Sequence, residues 1–109
     1  MSLRVEKINE LIKHYLNDIF LTHLSFKKDV FVTITKIDTS SDFRYAKASI
    51  SVFPEKEFPY VLKTLQKEIF FVQKKINEKL QMKIFPKIKF KADNTEVEAE
   101  KIEKLLKMI

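Results

Sequence analysis

Few residues in this chain are equipped for bond-making chemistry. Histidine occurs only at positions 14 and 23. Nine residues apart, the two rings do not share a helical face, where a metal-binding pair wants a spacing near four. Carboxylates gather at Asp93, Glu96, Glu98, Glu100 and Glu103, alternating with Lys101, Lys104 and Lys107. An acid–base pair needs burial to drive two pKa values apart, whereas a charge-laced helix leaves its carboxylates in water. No Ser–His–Asp arrangement suggests itself. Cysteine is absent, which excludes disulfides, thiolate nucleophiles and cysteine metal sites. Glycine is absent too, which excludes phosphate-cradling P-loops, dinucleotide fingerprints and nucleophile elbows. The expectation is a protein without catalytic activity.

Lysine supplies the chemistry that remains. The net charge of +6 suits a polyanionic partner, nucleic acid or an anionic membrane surface. The charge is uneven: between Gln73 and Lys91 stand Lys74, Lys75, Lys79, Lys83, Lys87, Lys89 and Lys91 against Glu78 alone. Such a zone can neutralise several phosphates. At about 100° per residue, Lys63, Lys67, Lys74 and Lys75 fall opposite the apolar stripe of one helix, with Phe71 among them. Two readings stay open. Lysines around an exposed aromatic suit a phosphate-and-stacking contact to RNA; alternatively the lysine face is merely solvated and a local bend turns Phe71 inward. A membrane-surface helix is disfavoured, because the core needs the apolar stripe.

These side chains must be positioned by regular elements. Val5, Ile8, Leu11, Ile12, Tyr15, Leu16 and Ile19 mark a helix over about residues 3–21, with Ser2 as its cap. Residues 29–38 and 43–53 alternate as strands, joined by a turn at Thr39-Ser40-Ser41-Asp42. Ala46, Ala48, Ile50 and Val52 share one face. Phe58, Leu62, Leu65, Ile69, Val72, Ile76 and Leu80 keep phase along one helix from Pro59 to Gln81, and Pro86 ends it. Lys87–Lys91 is a third strand, and Ala92-Asp93-Asn94-Thr95 can cap a last helix whose apolar positions Val97, Ile102, Leu105, Leu106 and Ile109 pack back. The order αββαβα in 109 residues predicts a single α+β domain over residues 1–109. The right-handed crossover predicts strands two and three parallel, with strand one between them. All helices then cover one sheet face, and Thr33, Thr35, Lys47, Lys87, Lys89 and Lys91 occupy the other. The first ten residues hold no signal-peptide core, and no run of about 18 apolar residues occurs; the expected location is the cytoplasm.

Several segments together resemble one family. Ser41-Asp42-Phe43-Arg44-Tyr45-Ala46-Lys47-Ala48-Ser49-Ile50 is similar to a hairpin stretch, RD-(L/F)-x-YAKV, of bacterial ribosome-binding factor A. Arg4-Val5, Leu65-Gln66, residues 80–88 (LQMKIFPKI) and Asp93-Asn94-Thr95 through Glu98, Ala99, Ile102 and Leu105-Leu106 follow in the family's order. The resemblance implies a type II KH-like fold without catalytic activity, cofactor or metal. It implies a role in late maturation of the small (30S) ribosomal subunit and rRNA processing, including cold adaptation, through 16S rRNA near its 5′-terminal helix. The family kinks its long helix at Ala-x-Gly, where this chain has Glu68, Ile69 and Phe70. The unbroken apolar phase predicts a straighter helix, and the off-stripe Phe71 predicts a bend. Longer members carry a basic C-terminal tail; the sequence stops at Ile109, so no tail contact is expected.

The expected RNA-binding residues are Arg4, Lys7, Lys63, Lys67, Lys74, Lys75, Lys79 and Lys83. Arg44 and Lys47 match the family's motif region, and the sheet face with Lys87, Lys89 and Lys91 ranks second as a surface. The expected partner is the small ribosomal subunit and its rRNA, met by a monomer with no membrane and no small-molecule substrate. The rival reading is a basic protein-interaction module that makes no direct RNA contact.

Overall fold

The computed structural model describes residues 3–93. The proposed Ser2 cap, the carboxylate-rich stretch beyond Asp93 and the expected last helix lie outside them. Seven elements follow in order: α1 (Leu3–Thr22), β1 (Phe31–Thr39), β2 (Tyr45–Phe53), a 3-10 turn (Glu55–Glu57), α2 (Phe58–Lys67), α3 (Ile69–Leu80) and β3 (Lys87–Ala92). Helices α1, α2 and α3 pack on one face of a three-stranded sheet. Ile12, Leu16, Ile19, Ile34, Ile50, Val61, Leu65, Val72 and Ile76 are all essentially inaccessible between the layers. Ala46 and Ala48 are fully buried as well, and their small side chains let the helix layer approach β2. This is an α+β, type II KH-like arrangement.

The sheet order is β1-β2-β3, with β1–β2 antiparallel and β2–β3 parallel. The expected parallel pair is present, but the expected central strand is not: β2, rather than β1, lies in the middle. The physical reason is on both edges. The outer edge of β1 is taken by α1, whose Asn9 and Asn17 side chains accept hydrogen bonds from the Thr39 and Ile34 N–H groups at 3.1 and 3.0 Å. The short link after α3 delivers β3 beside β2, where the Lys87 N–H donates to the Arg44 carbonyl. A right-handed crossover fixes the hand and the parallel sense, not a skipped strand.

The expected single helix from Pro59 to Gln81 is interrupted at Glu68, whose φ of −96° and ψ of 11° leave helical geometry. The two halves have different partners: α2 packs on β2 and β3, and α3 packs on α1. One straight rod could not serve both. Because a single residue departs, the apolar phase survives the break from Leu65 to Val72. The stripe needs one amendment as well. Val61 is fully buried, and Leu62 is only half-buried.

Among the described residues of this glycine-free chain, three sit at positive φ: Asp29 (66°), Phe43 (60°) and Gln81 (49°). Phe43 belongs to the β1–β2 turn. There Asp42 Oδ1 accepts from the Ser40 hydroxyl at 2.6 Å and from the Arg44 N–H at 3.1 Å. The Tyr45 N–H donates to Ser40 Oγ at 3.1 Å. The Ser40 hydroxyl and then the Arg44 N–H hold the exposed Asp42 carboxyl below its ordinary value. In β1 the register shifts between Ile34 and Lys36. Thr35 is the extra residue of a bulge, so Lys36 replaces it on the open face.

Candidate nucleic-acid interface

A groove of about 360 Å3 runs between the helix layer and the β3 edge, lined by Leu62, Gln66, Ile69, Ile88, Lys89 and Phe90. Its walls follow from local structure. On α2, Val61 and Leu65 turn down into the core, which leaves Leu62 and Gln66 at the rim. The break at Glu68 brings Ile69 to the same rim. On β3, Ile88 is buried and Phe90 half-buried. In the parallel ladder Lys87 and Asp93 donate their N–H groups to β2. By alternation the N–H groups of Ile88, Phe90 and Ala92 point to the outer edge.

Gln73 fixes one end of that edge. Its Oε1 accepts from the Ile88 N–H at 2.9 Å, and its Nε2 donates to the Pro86 carbonyl at 2.9 Å and to Asn77 Oδ1 at 2.9 Å. One amide therefore ties α3 to the start of β3 and, among the described residues, leaves the edge open beside Phe90. An apolar floor with an amide, a lysine and an open strand edge can take a flat base and hydrogen-bond its rim. Sequence reasoning missed Gln73, Gln66 and Phe90. Among lysines, a glutamine reads as solvated surface; the one legible signal was the adjacent apolar pair Val61-Leu62, wider than a core stripe requires.

The eight expected RNA-binding residues separate into groups. Lys63 and Lys67 are exposed on α2, each one residue beyond a rim residue of the groove. Lys67, Phe70 and Lys74 are spaced three and four apart across the break, and all are exposed, Phe70 to 87%. Phe70, not Phe71, is thus the aromatic set among lysines. Phe71 is half-buried, its ring centroid 5.8 Å from that of His23 and 5.7 Å from Lys75 Nζ. The local bend that turns Phe71 inward carries Phe70 outward.

Lys75 and Lys79 are committed elsewhere. Lys75 lies 3.9 Å from Glu78, and Lys79 lies 3.9 Å from Asp18 and 5.5 Å from the Tyr15 ring, beside the α1–α3 seam. Exposed pairs at this distance contribute under about 1 kcal/mol, so phosphate can still compete for them. Arg4 and Lys7 are exposed at the far end of α1. The Arg4 guanidinium lies 5.6 Å from the Phe43 ring. Since α1 meets α3 through Tyr15, Asp18 and His23, Arg4 stands roughly 27 Å from the end of α1 nearest the break. Lys83 is exposed in the link before β3, next to exposed Ile84 and Phe85. The structure thus brings together Lys63, Lys67 and Lys74 around the groove and the break, and does not bring Arg4 and Lys7 to them.

His14 lies tilted against Tyr15, and His23 meets Phe71 edge-on. Among the described residues no group of three metal-ligating side chains converges, and no helix is long and apolar enough to cross a membrane.

Comparison with known proteins bears on the fold and the family. The chain is 32% identical over 109 residues to a ribosome-binding factor A of Natranaerobius thermophilus, covering 99% of this chain and 83% of that protein. A solution structure of a Thermotoga maritima protein described as a ribosome binding factor A superposes with a TM-score of 0.73 at 26% identity, covering 87% of this chain and 92% of the other. A Thermus thermophilus ribosome binding factor A model, fitted into an electron cryo-microscopy map of a 30S complex, superposes with a TM-score of 0.66. It covers 78% of this chain and 90% of its own, and at 16% identity it speaks to fold. The family model described as ribosome-binding factor A matches residues 4–106, and the chain belongs to the ribosome-binding factor A family.

Proposed function

We propose that this protein is an assembly factor that binds the small (30S) ribosomal subunit during its late maturation, contacting 16S rRNA near the 5′-terminal helix. The observation that carries this reading is the family match over residues 4–106. The Thermus relative fitted into a 30S complex supports the same partner. The protein acts as one domain over residues 1–109, as a monomer in the cytoplasm, without catalysis, cofactor, metal or small-molecule substrate. Its part is to occupy immature subunits while rRNA refolds, and rRNA processing and growth in the cold depend on it.

In the proposed mechanism Lys63, Lys67 and Lys74 hold backbone phosphates. Leu62, Ile69 and Phe90 receive an unstacked base in the groove, and Gln66 reads its edge. Lys75, Lys79 and Lys83 add charge along α3 and its exit, and Arg4 and Lys7 engage a separate stretch of backbone. Each lysine–phosphate contact releases condensed counterions, so affinity falls steeply with salt.

Sucrose-gradient fractionation of cell extracts tests the role. The protein should travel with free small subunits, and loss of its gene should accumulate precursor small-subunit rRNA. Absence from those fractions, or unchanged precursor levels, would remove the assembly role. A complex that survives RNase treatment intact would instead mark a protein partner.

A further inference from the structure

The sheet face turned away from the helices is open, and it is neither neutral nor polar at random. Lys36, Lys47, Lys87, Lys89 and Lys91 are all exposed on it, against Asp38 within the described strands and Asp93 just past the end of β3. Among the described residues none of these lysines is in an ion pair. Across the strands Lys47 is in register with Asp38 on one side and Lys89 on the other. The positive charge therefore forms a band over β2 and β3.

Aromatic rings bracket this band. Tyr45 opens β2 and is 47% exposed, with the Lys89 ammonium 5.2 Å from its ring centroid. Phe53 closes β2 and pairs across the sheet with Phe31; they are 68% and 63% exposed. Two large apolar rings in water on a strand pair are costly unless something covers them. Tyr45 and Phe53 are eight residues apart, about 27 Å along the strand. Flat rings on a sheet, with lysines between them and almost no acids, match the chemistry of a single-stranded polynucleotide, whose bases stack while its phosphates are neutralised.

We propose that this open sheet face is a second RNA-binding surface, specific for single strands, on which Tyr45 and the Phe31–Phe53 pair stack bases and Lys47 and Lys89 hold the intervening phosphates. It adjoins the groove along β3, where Lys89 borders both. It does not require the groove to be occupied.

The test uses the full chain and a fluorescently labelled, unstructured RNA of about ten nucleotides, a length in the range of single-strand sites, with an RNA duplex as comparison. Tyr45→Ala and Phe53→Ala should each weaken single-strand binding roughly tenfold and leave duplex binding nearly unchanged, since stacking needs a free base. Lys47→Glu should weaken single-strand binding and lower its salt dependence. Thermal melting of each variant checks the fold, which these exposed positions should not disturb. Single-strand affinity within about twofold of the parent in both aromatic variants would overturn the proposal, as would equal losses for duplex and single strand. So would a labelled polyglutamate that binds the face more tightly than the RNA. Lys63→Glu with Lys67→Glu separates the two surfaces. If that pair leaves small-subunit binding intact while Tyr45→Ala still weakens single-strand binding roughly tenfold, the groove reading fails and the sheet face stands.

Discussion

Replacing Gln73 by methionine isolates the amide that anchors α3 to β3. Methionine keeps the length and apolar packing of the side chain and removes both polar atoms. Three hydrogen bonds of 2.9 Å disappear. Two of them serve backbone groups, the Ile88 N–H and the Pro86 carbonyl, in residues that are themselves buried. Leaving a buried backbone group unpaired costs about 1–3 kcal/mol. Both groups lie at a sheet edge that water can partly reach, so the lower end applies and the sum is about 2 kcal/mol. For a domain of this size that corresponds to a fall in Tm of roughly 8–15 °C. Asn77→Ala removes one bond and leaves both backbone groups served, so it should cost less than about 1 kcal/mol. Urea unfolding followed by circular dichroism, with a common m-value, measures both. Gln73→Met within about 0.5 kcal/mol of the parent would refute the reasoning, because it would mean that water replaces the amide without loss.

Gln81→Gly should stabilise the protein by about 1 kcal/mol, since a residue at φ 49° that closes α3 loses its Cβ clash; a lower urea midpoint would contradict this. Asp42→Ala tests the hairpin turn by pH. The carboxyl is held low in the folded state, so its contribution is complete above the ordinary carboxylate range and is lost as pH falls through the lowered value. The parent-minus-variant stability difference should therefore shrink on acidification, and a difference independent of pH would exclude the ionised cap. Lys63→Glu with Lys67→Glu should weaken binding to purified small subunits and reduce the salt slope by roughly two; an unchanged slope would remove α2 from the contact.

Much of the fold is written in local periodicity. The stripe from Val5 to Ile19 marks α1 to within a residue of its observed end, and Ala46, Ala48, Ile50 and Val52 are the inward face of β2. Features set by distant contacts were not legible. The central place of β2 depends on Asn9 and Asn17 occupying the β1 edge, and an asparagine in a helix carries no sign of which strand it meets. The break at Glu68 arises because α2 and α3 pack on different partners, while the apolar phase runs on through it. Glycine marks tight turns by its own freedom; here Asp29, Phe43 and Gln81 take those positions and hide them. In the candidate site, charge pointed to α2 and α3, but only the folded arrangement distinguishes Lys67 and Lys74 beside the break from Lys75 and Lys79 in the seam. The same bend exchanges Phe70 for Phe71.

Hydrogen exchange of the protein, free and bound to purified small subunits, tests most directly whether the groove and its lysines form the contact. Slowed amide exchange should concentrate on residues 62–74 and 88–92. Protection confined to the exposed side of α1, or no stable complex with small subunits at low salt, would contradict the account.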